Sequence, residues 1–470
     1  MLKSKASIKR AGKQALANQP VSVETHPVLS KLHSFFTQHL SVNNQSSLST
    51  PKLLLALSGG LDSSVLLHLL VALKPVLNVE LRALHVHHGL SPNADAWAAL
   101  CVSQCNALNV PIKVVHVNVD RQSKLGIEAA ARQLRYQALL EERIATQSDF
   151  IVTAHHQDDQ AETLLLQLLR GAGVKGLSSM AEVDQLRRLM RPLLGVSRQS
   201  LHDYALLNQL TWCDDESNDD TQYERNFIRH DVMSVLQARY PSVNSVMART
   251  ASHLAEANSL LDALAEIDAQ TILMDDSVCL HGLSQLSMTR AKNLLRWWFA
   301  KHQLSMPSAD HLAEMLQQLL NASVDAVLSI KVQHYTLRRY QQRAYLTVER
   351  LCEPFDLVWN GESSVPLPDG GLLTFKQVEG TGLALKSDMT RLRISNRSGG
   401  ERFKPDAARP TRTLKHLLQA ANIPPWLRDH VPLIYWQDSL VCVPGIGVSH
   451  ELKASADALG LEIIWSPAKT

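Results

Sequence analysis

The chain changes its apolar rhythm along its length. Between residues 50 and 185, short apolar-rich runs alternate with longer stretches whose apolar residues recur at helical spacing. The runs lie at 53–57, 81–87, 112–119 and 150–154. The first, 53–57, is unbroken and fits a strand covered on both faces. The stretch from Ser63 to Leu70 and those at 94–109, 126–146 and 159–170 read as helices. Strands alternating with helices predict a parallel sheet with right-handed crossovers. From 241 to 322 the pattern is helical, at 243–273, 290–301 and 309–320, which predicts a helical module. Residues 330–349 alternate polar and apolar positions, as a β-pair does. Beyond 354, Gly and Pro are frequent and apolar runs short, as in a small α+β domain. The expected organisation is a disordered basic arm at 1–45, an α/β domain at 46–240, a mostly helical domain at 241–350 and a C-terminal domain at 355–470.

The first strand–helix junction carries the strongest chemical signal. Ser58, Gly59 and Gly60 follow the strand without a gap, and Leu61, Asp62, Ser63 and Ser64 open the helix. Glycine permits positive φ and lets a ligand approach the backbone. A helix N-terminus with free N–H groups and three hydroxyls stabilises an anion. No Gly-Lys-Ser/Thr follows, so this is not a Walker loop. Asp62 would repel a phosphate unless Mg²⁺ lies between them, an ion that suits hard oxygen ligands. The plain alternative is a capped strand–turn–helix without ligand.

A second cluster is TAHHQDDQAET, 153–163. His155 ends a predicted strand, and Asp159 and Glu162 share one helix face. An acidic face beside a histidine suits holding an amine and removing its proton. A zinc site involving His155, His156, Asp158 and Asp159 and a bland helix cap are the competing readings. HVHHGL, 85–90, occupies the corresponding strand end. His85 reads as a core histidine, whereas His87 and His88 lie at the tip. In GIEAAARQLRY, 126–136, Arg132 or Arg135 could face phosphates bidentately; the alternative is a surface Glu128–Arg132 pair. The clusters at 58–60, 85–89 and 155–159 fall at the carboxyl ends of predicted strands, where sheets of this class bind ligands.

Composition narrows the class. The 470 residues are 45% hydrophobic and carry a net charge of +2, so any nucleic-acid surface must be a local patch. No apolar run is long enough for a membrane span, and the membrane is not an expected partner. The six cysteines contain no CxxC pair, which reads as a reduced, cytoplasmic chain. Lys3, Lys5, Lys9, Arg10 and Lys13 occupy an acid-free start, read as a basic arm rather than an organellar leader. A basic run spans Arg391, Arg393, Arg397, Arg402, Lys404, Arg409, Arg412 and Lys415, opposed by Glu401 and Asp406. It reads as an RNA-facing surface. Arg338, Arg339 and Arg343 add charge. Trp297 and Trp298 are stacking candidates, with a core role the simpler reading.

SGGxDS resembles the pyrophosphate loop of the ATP pyrophosphatase superfamily. The ordered set SGGLDSS, HVHHG, GIEAAARQLRY, AHHQDDQAET, RGAGVKGLSSM, RPLL (191–194), DESNDDTQYERNFIRH (215–230) and GGERFKPDAARPTRTLKHLLQAANIPPWLRDHVPLIY (399–435) is similar to the tRNA(Ile)-lysidine synthetase family. That resemblance implies an adenine nucleotide alpha hydrolase-like fold for the first domain. It implies ATP and Mg²⁺ as cofactors, and free L-lysine and a CAU-anticodon tRNA(Ile) as substrates. ATP adenylates the C2 oxygen of the wobble cytidine, and the lysine ε-amine then displaces AMP, so that the tRNA reads A and is charged with isoleucine instead of methionine. It further implies that residues 58–64 bind ATP, with Asp62 holding Mg²⁺. Arg132 or Arg135 would stabilise the α-phosphate, and His155, Asp159 and Glu162 would orient lysine and base. Asn226 and Arg229 match an RNxIR signature that contacts RNA or nucleotide. Arg402, Arg412 and Lys415 lie in the expected tRNA-gripping domain. DAARPTRT departs from the family pattern by a two-alanine spacer near Arg409 and Arg412. The oligomeric state is left open, a homodimer included. A tRNA thiolase would need paired cysteines and a glutamine-fed amidating enzyme a glutaminase domain; neither is present in the sequence. A pure RNA-binding protein on a dead scaffold would not need the intact loop with Asp62, Asp159 and Glu162.

Overall fold

The computed structural model describes residues 8–10, 26–41, 50–120, 126–322, 328–350, 352–384, 386 and 389–468. They fall into two compact units, Met1–Leu261 and Asp262–Thr470.

The first unit is built on a six-stranded sheet. Its strands are β2 (Lys52–Ala56), β3 (Glu80–His87), β4 (Ile112–His116), β5 (Phe150–Val152), β6 (Val183–Asp184) and β7 (Leu189–Met190), in the order β4-β3-β2-β5-β7-β6. All neighbours are parallel except β6 and β7. Helices α2 (Leu61–Leu77), α3 (Ala94–Ala107), α4 (Ile127–Ala145) and α5 (Gln157–Leu169) make the connections. The apolar run of β2 is continuous because both faces are covered. Leu53, Leu55 and Leu57 join one core cluster, while Leu54 packs on the other side with Leu84, Leu139, Ile151 and Leu189. Strand order reverses at β2, which has β3 on one side and β5 on the other. A crevice therefore opens beyond the ends of β2 and β5.

The expected disordered arm needs correction. β1 (Ile8–Arg10) pairs antiparallel with residues Thr211–Cys213, and α1 (Pro27–Ser41) is a helix of the main core. Val28, Leu29, Leu32, Phe35, Phe36 and Leu40 are buried against α2 and the sheet. Their spacing is an amphipathic stripe that composition alone concealed. Residues 1–7, 11–25 and 42–45 of that expected arm lie outside the described residues.

In the second unit, helices Leu280–Gln285, Met288–Lys301 and Ala309–Asn321 pack with a five-stranded antiparallel sheet. Its strands run in the order Ser329–Val332, Tyr335–Tyr340, Arg343–Val348, Ser277–Cys279 and Leu273–Met274. The segment expected to be mostly helical is thus mixed, and the expected β-pair is a three-stranded meander. The two shortest strands hid because a two-residue Asp275–Asp276 turn, with φ of 48° and 59°, leaves no room for alternation to register. Trp298 is fully buried in this core, which settles its role as packing. Arg339 is buried, and Arg343 is half-buried and engaged. Arg339 bonds Ala322 O and Gln342 Oε1, and Arg343 ties down Ser277 and Met274. Residues 356–466 form antiparallel sheets of five and four strands around Trp359, Phe375, Leu373 and Ile434, with a two-stranded ladder of Arg402–Phe403 and Arg412–Thr413 beside them in sequence.

Candidate active site

The turn after β2 is held open by its own side chains. Gly59 takes φ of 88°, and a Cβ there would come within 3.0 Å of Cys101 Sγ. Gly59 N donates to Ser63 Oγ at 3.2 Å, Ser63 Oγ donates to Gly60 O at 3.0 Å, and the Ser58 and Ser63 hydroxyls are 3.0 Å apart. Ser64 turns inward to Gln104. Cys213 N donates to Gly59 O at 2.9 Å, fixing the loop from outside. The first N–H groups of α2 have no intrahelical partner. Ser58, Gly60, Asp62 and Ser63 line a cavity of about 270 Å³.

The same cavity is lined by Thr153, His155 and Asp159 from the β5–α5 junction, by His85, His87 and His88 from β3, and by Arg135 and Tyr136 from α4. The strand-end clusters therefore share one crevice. Arg132 is not among the lining residues. Both guanidinium groups stack on Tyr136, at 5.2 and 5.9 Å from its ring centre. His85 is the expected core histidine, with Nδ1 at 2.9 Å from Leu57 O.

Asp159 and Glu162 are buried, and two arginines hold them. Arg225 lies on the short helix Glu224–Phe227, and Arg229 on the π-helical turn Ile228–Val232 that follows. Arg225 reaches Asp159 Oδ1 at 2.7 Å and Glu162 Oε2 at 3.0 Å. Arg229 reaches Glu162 at 2.6 and 2.9 Å and Asp159 at 3.3 Å. Segment 213–231 does not leave the domain as a surface strand of chain; it folds back onto α5. Asn226 closes its own loop by donating to Asp220 O. Arg225 was passed over in the sequence. Its signal is the four-residue spacing from Arg229, which matches the three-residue spacing of Asp159 and Glu162 on α5.

The adjacent histidines are shifted in opposite directions. His155 Nδ1 is 2.9 Å from Thr153 Oγ1. Burial pushes its pKa down to about 3; Asp159 opposes this, and Arg191, Arg225 and Arg132 add to it. His156 is buried between Asp62 and Asp159, its Nε2 3.5 Å from each, with Asp158 3.8 Å from Nδ1. Burial alone would lower its pKa, but Asp159, Asp62 and Asp158 outweigh that and raise it. Burial would raise the Asp159 pKa, but His156, Arg225 and His155 hold that carboxyl below the usual range. His156 is thus the link between the phosphate loop and the acidic pair.

Among the described residues, no group of three His, Cys, Asp or Glu side chains is placed to hold a metal. The zinc reading has no support there. Asp62 Oδ1 is buried with no hydrogen-bond partner. That orphaned oxygen at the loop mouth fits a Mg²⁺ whose other ligands are phosphate oxygens and water. Arg402 and Arg412 belong to the second unit, on paired strands with Arg402 opposite Thr413 and Phe403 opposite Arg412; Lys415 is exposed on the helix that follows.

Comparison with known proteins agrees with this geometry. Residues 28–236 match a PP-loop domain, 279–345 a TilS substrate binding domain and 392–465 a TilS substrate C-terminal domain. The tRNA(Ile)-lysidine synthase of Nitrosomonas europaea is 41% identical over 89% of this chain and 92% of its own length. The chain belongs to the tRNA(Ile)-lysidine synthase family. The Coxiella burnetii protein of that name is 38% identical over 88% of this chain and 93% of its own. A solved U34-tRNA thiolase from Methanococcus maripaludis aligns at 19% identity and a TM-score of 0.41, covering 49% of this chain and 78% of that one. Membership makes the chain a PP-loop enzyme that uses ATP.

Proposed function

We propose that this chain ligates free L-lysine to C2 of the wobble cytidine in a CAU-anticodon tRNA(Ile), at the expense of ATP. The carrying observation is the phosphate loop, Asp159 and His155 lining one crevice, with Glu162 buried behind Asp159 on the same two arginines, in a chain aligned nearly end to end with synthases of that name. The cytidine O2 attacks the α-phosphorus, and pyrophosphate leaves. The lysine ε-amine then attacks C2, and AMP leaves with the O2 oxygen. Mg²⁺ held by Asp62 would neutralise charge on the phosphates.

The protein's side chains divide the remaining work. The N–H groups and hydroxyls at 58–64 grip the β- and γ-phosphates. Arg135, lining the cavity, meets charge developing on the α-phosphate, with Arg132 behind it on Tyr136. Asp159 and Glu162 receive the lysine ammonium, which exchanges for a guanidinium. His155 stays neutral and accepts a hydrogen bond from the amine as it turns toward C2. A base in an anticodon loop reaches such a site at little unstacking cost.

The test is incorporation of labelled lysine into a tRNA(Ile) transcript, with pyrophosphate and AMP release measured alongside. ATP- and tRNA-dependent labelling that is lost in Asp62→Ala is expected. Labelling that persists in Asp62→Ala overturns the role of that carboxylate, and no labelling by the unaltered chain overturns the reaction.

A further inference from the structure

The second unit contains a cavity of about 350 Å³ that shares no lining residue with the crevice described above. It lies where the middle sheet meets the C-terminal domain. One wall is Trp426, on the 3-10 turn Pro425–Leu427. The Arg338 guanidinium lies 5.6 Å from its ring centre, and Tyr345 and Tyr340 meet it edge-on at 5.3 and 6.0 Å. Arg338 is itself anchored by Nε to Thr347 Oγ1 at 3.0 Å. Trp465 also lines the cavity, and its indole N–H is buried without an acceptor. Asp369 and His430 form a largely buried pair, Oδ2 to Nδ1 at 3.0 Å. The backbone N–H of Gly371 holds the other Asp369 oxygen at 2.9 Å. His430 is therefore fixed in orientation at the cavity wall. Arg350, Glu349 and Asp429 complete the charged rim, and Asp429 is neutralised by Arg397 at 3.0 Å.

We propose that this cavity receives one unpaired nucleotide of the RNA substrate, its base stacked on Trp426 and its polar edge read by His430 and Trp465. The inference rests on the RNA substrate named under the proposed function. Three features favour a nucleotide. A tryptophan carrying an arginine on its face offers a π-surface beside a phosphate-binding cation, the usual pair for single-stranded RNA. The imidazole–carboxylate pair and the indole N–H supply fixed polar groups, as a base edge requires. The volume suits one small planar ligand rather than a duplex. The cavity is also assembled from both substrate-domain segments, since Arg338 lies in 279–345 and Trp426, His430 and Trp465 in 392–465. Neither segment encloses it alone.

The experiment uses the full chain and an unmodified CAU-anticodon tRNA(Ile) transcript. Affinity is measured by fluorescence anisotropy, and each nucleotide's reactivity is mapped by chemical probing of the bound RNA. Trp426→Ala is expected to weaken binding about 5- to 150-fold, the range for losing one stacked base. Trp426→Phe should stay within about threefold of the unaltered chain. One nucleotide, protected in the normal complex, should become reactive in the alanine variant, with ATP binding unchanged. Arg338→Met keeps the tryptophan and should expose the same nucleotide; it decides the matter where the alanine variant does not fold. Unchanged affinity and protection in both variants overturns the pocket. If the unaltered chain neither binds nor labels the transcript, the proposed function itself has failed.

Discussion

Replacing Glu162 by Gln separates the two halves of the proposed reaction. Glu162 is buried and accepts three guanidinium N–H groups, at 2.6, 2.9 and 3.0 Å. Each such charge-assisted bond contributes about 1.5–3 kcal/mol. Gln keeps the size but removes the charge, and it turns an amide N–H₂ toward donors that need acceptors. Two arginines then face Asp159 alone. Breaking one side of a buried ion pair costs about 3–5 kcal/mol in the unfavourable limit. Asp159 retains both arginines and the His156 N–H at 3.0 Å, so a loss of about 3 kcal/mol of stability is expected. Urea unfolding of the purified variant measures it.

The kinetic consequence is sharper. With half of the acidic pair neutral, the ammonium loses a charge-assisted partner, and lysine KM should rise about 100-fold, which corresponds to about 2.7 kcal/mol. Pyrophosphate release driven by tRNA without lysine tests the first step alone, and it should stay within about threefold. Steady-state labelling across a lysine series tests the second. If pyrophosphate release collapses while lysine KM is unchanged, Glu162 serves nucleotide activation, and the acidic pair has been given the wrong substrate.

Two further outcomes follow from the same geometry. Gly59→Ala forces a side chain into φ of 88° and a Cβ to 3.0 Å from buried Cys101 Sγ. The backbone strain alone costs about 1–2 kcal/mol, so isothermal titration should show ATP binding weakened at least tenfold; unaltered ATP affinity would mean the loop needs no left-handed residue. The two histidines predict opposite pH signatures. His155 falls from 6.5 unfolded to about 3 folded, so the unfolded chain takes up the proton first. Its stability contribution is complete above pH 6.5 and is lost as pH falls toward 3, up to about 5 kcal/mol over that interval. His156 is raised, so its contribution is complete below pH 6.5 and is lost as pH rises through its folded value. Unfolding free energies at pH 4.5 and 7.5 should therefore differ less in His155→Asn than in the unaltered chain, and the His156→Asn change should have the opposite sign.

The sequence was most readable where local pattern and chemistry coincide. The run at 53–57 is continuous because its strand is sandwiched, and Gly59 and Gly60 follow because the turn demands them. Those two facts place the sheet, the switch point and the loop without tertiary information. Helix α1 escaped because its stripe of Leu29, Leu32, Phe36 and Leu40 stands beside a lysine-rich stretch, and charge was read in place of periodicity. The partners of Asp159 and Glu162 were not legible, because Arg225 and Arg229 lie more than sixty residues downstream. A charged segment such as 213–231 reads as solvated surface until something shows that its charges are matched. The basic run at 391–415 was legible as charge, not as free charge, because Arg393 leans on Asp356, Arg397 on Glu401 and Asp429, and Arg409 on Asp406.

The arginine-bearing turn answers an electrostatic problem that the phosphate loop creates. Asp62, Asp158, Asp159 and Glu162 cluster within a few ångströms of His156 or of the two arginines, beside a loop suited to a polyanion. At an effective dielectric constant of about 20, two like charges 4 Å apart repel by about 4 kcal/mol. Uncompensated, such a cluster would expel the triphosphate or take up protons. Arg225, Arg229 and a His156 whose pKa is raised supply up to three positive charges against those four carboxylates. An incoming ammonium that exchanges for one guanidinium leaves the local charge unchanged. The acidic pair can therefore accept a cationic amine without altering the field felt by the phosphates, and that condition has to hold if one crevice is to activate a base with ATP and then admit an amine.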